Sequence, residues 1–402
     1  MPASLLARPI GGRDFWPLDP QVTFLNHGSF GCCPRPVLKF QHALQDRLER
    51  QPVRFLVDEF EALWDESRRS LARFVGADAQ DLVFVPNATT GVNTILRSLK
   101  FQRGDELLVT DHEYNACRCA LDFAAGRAGA RVVVAKIPFP LESPQQVVDA
   151  VLAGITRRTR LVLLDHVTSP TGLVLPLEPI IRGLNARGVE SLVDGAHAPG
   201  MIPLNLKKLG ATYYTGNCHK WLCAPKSAAL LHVRRDRQAD IQPLVISHGS
   251  NSPRQDRSRF LLEFGWMGTG DFSAWLSVPE TLRTISALLP SGWPAGMRRN
   301  RALALAARKI LCETLQVPPP CPEEMIGSLA TVPLPDMSAA EAKKITNGQA
   351  PLRTRLLHEH GIEVQVVPWP APPKQLVRVS AQLYNSLPQY ERLAGALKQA
   401  LR

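Results

Sequence analysis

An α/β fold with a mostly parallel sheet, followed by a smaller α+β domain at the C-terminus, is predicted by three observations. From Leu82 onward, short apolar runs of strand length alternate with stretches of helical period, the pattern of strands joined by crossover helices. Polar residues gather where those runs stop, as in VDGAH after residues 191–194, and ligands of open parallel sheets collect at such ends. The 402 residues also exceed what one small core organises, so the expected division is an N-terminal segment over 1–20, a large domain over 21–280 and a small domain over 281–402.

Hydrophobic residues make up 45% of the chain and charged residues 21%, the balance of an ordinary globular protein. No uncharged apolar run approaches about 18 residues, and MPASLLARPIGGRDF has too short an apolar centre for a secretion signal. A cytoplasmic protein without a membrane span is expected. The net charge of +11 is scattered, with only short pairs such as Arg157-Arg158 and Arg234-Arg235. Nucleic acid is therefore not expected as a partner, whereas diffuse positive charge suits an anionic cofactor and a carboxylate substrate. None of the eight cysteines forms a CxxC pair, which argues against a zinc site or a disulfide framework and for reduced thiols.

Taken in order, residues 2–20 lack a period and are expected to wrap over the surface. A short strand at 22–25 leads into NHGSFG, a turn where Gly28 and Gly31 admit close approach and Asn26 and His27 offer polar contacts; an ordinary loop is the other reading. A helix is predicted at 37–49. Phe60, Leu63, Trp64, Leu71 and Phe74 draw an apolar stripe along the next, which stops at Gly76. After a strand at 82–85, Asn87, Thr89 and Thr90 open a helical run, and the free amides of such a terminus suit a phosphate dianion. Strands follow at 106–110, 131–137, 160–167 and 191–194, with helices at 144–155 and 177–187. The sequence DHVTSPTG places Asp165, His166, Thr168 and Ser169 at a strand end, where each could touch a ligand or satisfy its own loop. Another strand precedes His219 and one covers 228–233, before a polar loop reaching FGWMGTGDFSAW. Helices at 281–289, 301–315, 350–360 and 390–401, with strands at 326–333, 362–368 and 375–380, make the small domain.

The densest chemistry lies in residues 191–222, SLVDGAHAPGMIPLNLKKLGATYYTGNCHKWL. Asp194 ends one strand, His197 follows three residues on, and His219 and Lys220 come just past a second strand. An acid and a lysine are thus held on one rigid frame. Pyridoxal phosphate (PLP) enzymes need this pair: the lysine forms a Schiff base with the aldehyde, and the carboxylate keeps the pyridinium nitrogen protonated. The bland alternative makes Asp194 a strand-end cap and Lys220 a surface lysine.

VDGAH followed by GNCHKWL resembles the fold type I PLP enzymes of the aminotransferase class V family, and FLNHGSFG is similar to its isopenicillin N epimerase branch. The similarity covers nearly the whole chain. It implies a large domain built on a seven-stranded type of sheet, PLP on Lys220, Asp194 at the ring nitrogen and His197 at the phenolic oxygen. The resemblance also implies a phosphate cup at Ala88, Thr89 and Thr90, with Asn217 and His219 among the cofactor contacts. Tyr114 of DHEYNA would stack on the pyridine ring, with His112 as the alternative; such stacking contributes roughly 0.5–1.5 kcal/mol beyond area burial. Arg378 of VRVSAQLYNS matches the arginine that grips the substrate α-carboxylate, which a planar guanidinium can do in a bidentate way; a surface ion pair is the other reading. Asn26 and His27 would lie near the substrate. Gly268 and Thr269 match residues sent to a partner subunit's phosphate, which implies a homodimer with shared active sites, unless the segment is only a turn capped by Asp271. Gly270 departs from the pattern, since the branch carries an arginine after Gly-Thr.

Four activities compete on this basis. An amino acid epimerase would use Lys220 to remove the Cα proton of its amino acid substrate and allow reprotonation from the other face. A C–S lyase of the cysteine desulfhydrase or hercynylcysteine sulfoxide type shares that step and then expels sulfur from Cβ. A class V aminotransferase and a non-enzymatic PLP-binding regulator complete the set, the last without an attached DNA-binding module. A persulfide-forming cysteine desulfurase is disfavoured, because no cysteine lies between Cys321 and Arg378 to serve as its nucleophile.

Overall fold

The computed structural model describes residues 6–12 and 14–401. Its centre is a seven-stranded sheet whose strands read as unbroken apolar runs, because helices cover both faces and leave no side for alternating polar residues. Leu82–Val85 (β2 here, after β1 at Thr23–Phe24), Glu106–Thr110 (β3), Arg131–Ala135 (β4), Thr159–Asp165 (β5), Glu190–Asp194 (β6), Tyr213–Asn217 (β7) and Ala229–Val233 (β8) stand in the order β2-β8-β7-β6-β5-β3-β4. Leu107, Leu108, Val109, Val162, Leu163, Leu192 and Val193 are fully withdrawn from water. Strands β3 to β7 are parallel, while β8 runs against both β7 and β2. Chain order reverses at β3 and β5, which are neighbours although β4 lies between them in sequence, and a crevice at that switch point is the place where such sheets bind ligands.

The covering helices include Arg35–Arg50 (α1), Phe60–Val75 (α2), Ala88–Ser98 (α3), Asn115–Ala128 (α4), Pro144–Ala153 (α5) and Leu177–Asn185 (α6). Helix α2 ends at Gly76 in the left-handed conformation, as its position after the apolar stripe predicts. A π-helical turn at Arg54–Glu59, ahead of α2, had no counterpart in the sequence reading. Nor did α4, whose run NACRCALDFAAGRA mixes small, polar and apolar residues without a clear stripe. Inside the expected polar loop, a short helix at Arg259–Gly265 is capped by the Ser258 side chain.

The C-terminal part holds Val278–Ser286 (α7), Gly292–Leu315 (α8), Leu329–Leu334 (β9), Pro351–His360 (α9), Ile362–Glu363 (β10), Gln365–Pro368 (β11), Gln375–Ser380 (β12) and Leu387–Ala400 (α10). Strands β11, β12 and β9 form an antiparallel sheet in that order. The strand expected at 362–368 breaks at Val364, so that β10 pairs in parallel with β1 while β11 joins the other sheet. Helix α8 begins nine residues before the expected 301, since Pro294 falls in its first turn, where a missing N–H leaves nothing unpaired. Helix α10 likewise starts earlier than expected, set by a reciprocal cap between Ser386 and Gln389. The N-terminal segment docks here too: the Trp16 ring meets Tyr384 at 5.1 Å, and its indole N–H donates to the Ile10 carbonyl at 3.0 Å.

Candidate active site

Strands β5, β6 and β7 run side by side with Asp165 opposite Asp194 and Asp194 opposite Thr215, so their polar ends open on one edge of the sheet. A pocket of about 740 Å³ lies there. Of the residues singled out from sequence, it takes in Asn87, Ala88, Thr89, Thr90, Tyr114, Asp165, Ser169, Asp194, His197, Asn217, His219 and Lys220, and it adds Ser29, Phe30, Lys226 and Ser227.

One end of the pocket has the build of an anion site. The first backbone bond of α3 runs from the Gly91 amide to the Asn87 carbonyl, 3.1 Å. Ahead of it, the Ala88 amide donates to Asn217 Oδ1 and the Thr90 amide to Asn87 Oδ1, each at 2.8 Å. The Thr89 amide and hydroxyl are thereby left for a ligand at the positive end of the helix. Helix α3 reaches this depth because Gly91 has no Cβ; one there would lie 2.2 Å from Thr215 Oγ1 on β7. His219 Nδ1 donates to the Ala228 carbonyl at 3.1 Å, and burial, aided by the Lys220 charge, pulls its imidazole down to about 4.

Lys220 Nζ lies 3.3 Å from His197 Nε2. Burial draws the Lys220 ammonium down to about 8, with the Arg378 guanidinium adding to that effect and the Asp194 charge opposing it. His197 is held well below the usual imidazole range by burial first and by Lys220 and Arg378 next. Its Nδ1 accepts the indole N–H of Trp221 at 3.1 Å.

Asp194 accepts two hydrogen bonds, from the Ala196 amide to Oδ1 at 2.8 Å and from Cys117 Sγ to Oδ2 at 3.1 Å. One carboxyl oxygen each from Glu113 and Asp194 and the Cys117 sulfur lie within 4.8 Å of one another. Asp165 and Glu113 are both pushed well above the carboxylate range by burial and by neighbouring acids, and Cys117 is pushed up for the same reasons. Burial and like charge thus favour the neutral form of both acids, while two donors converge on the third carboxyl, Asp194. Sequence reading passed over Glu113 and Cys117; the only signal was their place beside Tyr114 in DHEYNAC.

Arg378, 3% exposed, does not itself line the pocket but bonds to two residues that do: its Nη1 donates to the Ser169 carbonyl and, at 3.3 Å, to its hydroxyl, while Nη2 reaches Ser29 Oγ at 3.4 Å. Its Nε is buried without a hydrogen-bond partner among the described residues, an orphan donor of the kind a carboxylate ligand satisfies. Burial lowers this guanidinium to about 10. Tyr114 stands half exposed at the head of α4 and lines the pocket. Its alternative, His112, is turned away, bonded to Thr171 Oγ1 at 2.8 Å and packed on the Trp369 ring at 4.5 Å. His166 is likewise occupied, by the Tyr214 hydroxyl at 2.9 Å, and Thr168 by Thr171 and the Leu173 amide.

Asn26 and His27, expected beside the substrate, do not reach the pocket. The run His27–Phe30 folds as one helical turn that sends Ser29 and Phe30 to the pocket and His27 into the core. The His27 ring is fully buried between the Tyr384 hydroxyl at 2.8 Å and the Lys220 carbonyl at 3.0 Å, and burial takes it down to about 3. Asn26 donates to Glu363 at 3.0 Å and accepts from Ser29 at 2.7 Å, so it braces a lining residue instead of lining the pocket itself. Gly268 and the exposed Thr269 lie on a surface segment outside this chain's pocket, and Asp271 does cap the next turn through the Ser273 amide at 2.8 Å. The residues present fit PLP: a free amide at a helix N-terminus for the phosphate, a hydrogen-bonded carboxylate for the ring nitrogen, and a lysine of lowered proton affinity for the aldehyde.

Comparison with known proteins places the molecule. The family model described as aminotransferase class-V matches residues 46–386. An isopenicillin N epimerase from Streptomyces clavuligerus is 34% identical over 94% of this chain and 95% of its own length. A probable L-cysteine desulfhydrase, chloroplastic, from Arabidopsis thaliana is 31% identical over 96% of this chain and 84% of its own length. Among solved structures, the cysteine desulfurase CsdA from Escherichia coli superposes with a TM-score of 0.77 at 20% identity, covering 96% of each chain, a likeness of fold.

Proposed function

The chain belongs to the aminotransferase class-V family of PLP-dependent enzymes, and from that premise we propose that it is an amino acid epimerase in which Lys220 both carries the cofactor and takes the substrate Cα proton. The observation that carries the reading is the placement of the Lys220 amine in the pocket, drawn down to about 8, so that a free base is available near neutral pH. PLP, when bound, supplies the sink for the electrons that the departing proton leaves at Cα.

The other roles follow from position. Thr89, flanked by Ala88 and Thr90 and joined by His219, takes the phosphate, while Asn217 fixes the cup by holding the Ala88 amide. Asp194 would meet the ring nitrogen, held in place by the Ala196 amide and the Cys117 thiol. His197 faces the phenolic oxygen, Tyr114 offers a ring face, and Arg378 uses its orphan Nε for the substrate carboxylate. Alignment with an epimerase along nearly its full length supports epimerisation; the desulfhydrase relative supports a second reading, C–S cleavage, which shares the proton abstraction and then expels sulfur from Cβ. The reading extends to a cytoplasmic homodimer that completes each phosphate cup with Gly268 and Thr269 of the partner. The exposure of Thr269 outside its own pocket supports that sharing, and among the described residues no helix is long and apolar enough to cross a membrane.

One experiment tests the assignment and separates the activities. Holoenzyme reduced with borohydride and mapped by peptide mass should carry the adduct on Lys220, and an adduct on Lys226 would overturn the assignment. Incubation with a panel of amino acids in D2O should give deuterium at Cα with loss of chirality. Pyruvate with sulfide would instead identify a lyase.

A further inference from the structure

Trp221 directly follows Lys220, and its side chain is the part of the HKW run that the reading above leaves without a task. The residue is 1% exposed and packs among Val167, Met201 and Leu329. Its backbone is clamped as well: Gly200, at φ +86, approaches so closely that a Cβ there would lie 2.6 Å from the Trp221 carbonyl carbon and oxygen. A buried indole N–H has to find an acceptor, and this one finds His197 Nδ1 at 3.1 Å.

That contact has a consequence for the position of a proton. An indole nitrogen only donates, so His197 Nδ1 is the acceptor and bears no hydrogen. With no proton on Nδ1 the ring is not an imidazolium, and burial together with the Arg378 charge disfavours the charged form as well. A neutral imidazole has one proton, which therefore sits on Nε2, the nitrogen 3.3 Å from Lys220 Nζ. His27, whose ring centroid is 4.9 Å from that of Trp221, does not compete for the indole, because its own nitrogens meet the Tyr384 hydroxyl and the Lys220 carbonyl.

We propose that Trp221 is a positioning residue that locks His197 as the Nε2–H tautomer, so that His197 presents a fixed donor to Lys220 Nζ and holds that lysine as a free, hydrogen-bond-accepting amine. An ammonium at Nζ would place N–H against N–H, whereas a neutral amine accepts the bond through its lone pair. Without the indole, an ammonium could donate to Nε2 and drive the imidazole proton to Nδ1. The same fixed donor would be free for the cofactor's phenolic oxygen once Lys220 is engaged. This deepens the reading of Lys220 as the cofactor lysine, and its test is made on the full-length apo chain so that the two can fail separately.

Imidazole 15N shifts of the apo protein, with the His197 signals assigned by their loss in His197→Phe, should show the proton on Nε2 in the wild type. In Trp221→Phe, which keeps an aromatic ring and removes the N–H, the proton should move to Nδ1. The pH midpoint for capture of PLP by Lys220 should then rise by about half to one pH unit, on the order of one net hydrogen bond. In a His197→Phe background, adding Trp221→Phe should leave the midpoint where it was, whereas a merely structural role for the indole would move it in both backgrounds. A wild-type proton on Nδ1 overturns the proposal and needs no variant to be seen. So does a Trp221→Phe protein that keeps the Nε2 proton and an unshifted midpoint. Failure to capture PLP at Lys220 with the tautomers as stated would count against the cofactor assignment alone.

Discussion

Two pockets open at opposite ends of the same parallel strands. At the N-terminal ends of β3, β5 and β6, a cavity of about 1280 Å³ is lined by Arg97, Lys100, Asp105, Arg127, Arg160 and Glu190, among others. At the C-terminal ends lies the pocket of about 740 Å³ that holds Lys220 and Asp194. The larger pocket leaves its arginines in water: Arg160, with a side chain 61% exposed, meets Asp105 at 3.0 Å, and Arg237, with a side chain 40% exposed, meets Glu190 at the same distance. Pairs of that kind contribute about 0–1 kcal/mol and impose nothing on their neighbours. In the smaller pocket several polar groups are withdrawn from water, which shifts their proton affinities, as at Lys220, Asp165, His197 and the adjoining Glu113. Volume does not mark the site; the enforced choice of protonation does.

The sharpest way to break the contrast is at Asp194. Asp194→Ala should retain the fold, hold PLP weakly and lose on the order of 10²- to 10⁴-fold in kcat, because no other carboxylate receives the Ala196 and Cys117 donors. Glu113 and Asp165 sit close by with proton affinities raised by burial and by the Asp194 charge, so losing that charge should ease ionisation of Asp165 and restore part of the loss. Adding Asp165→Asn to Asp194→Ala should remove that residue. Near-normal turnover in the single variant would take Asp194 out of the mechanism.

A smaller effect follows from Lys220 and has a definite sign. Its proton affinity is lowered in the folded chain, from the ordinary 10.5 to about 8. Capture of PLP by apoenzyme should therefore accelerate about tenfold per pH unit below that value and level off above it, where an exposed lysine would still be gaining rate. Between about 8 and 10.5 the unfolded chain binds a proton that the folded chain lacks. Apo stability from this group is thus gained as pH rises through that window, and denaturant midpoints of the wild type against Lys220→Met should differ in slope there. A capture profile that keeps climbing past pH 10 would contradict the buried placement.

Local sequence carried the parts of the site that a single strand end or helix start can encode. Asp194, His197 and Lys220 come from two neighbouring parallel strands and their short following loops, and Asn87 announces the helix that leaves the Thr89 amide free. What remained hidden depends on segments far apart in the chain. Arg378 was named through the family resemblance, but its setting by Ser169 and Ser29, contacts over 209 and 349 residues, was not legible, nor was the pairing of β1 with β10 across a similar span. His27 was misplaced for a local reason: four residues read as an open turn close into one helical turn, which points adjacent side chains in opposite directions. Glu113 and Cys117 were invisible because α4 lacks a clear apolar stripe, and nothing in a lone acid or thiol says that it will be buried against Asp194.

The smallest expected effect lies at the larger pocket, and its smallness is the point. Arg160→Ala removes an ion pair whose arginine is mostly in water, so the folded state should lose about 0.5 kcal/mol or less, and less still at 0.5 M salt where the pair is screened. The strand should stay in place, because β5 is fixed by its ladders to β3 and β6 and by the buried Leu161 and Leu163, none of which touches the guanidinium's charge. Turnover and PLP retention should match the wild type, since Arg160 lies at the start of β5 and Asp165 at its end, five residues and about 17 Å of extended chain away. Chemical denaturation at two salt concentrations, alongside kcat/KM, reads both quantities. A loss of activity at unchanged stability would mean that the two ends of the sheet communicate, and the separation between a solvated pocket and a chemically committed one would have to be given up.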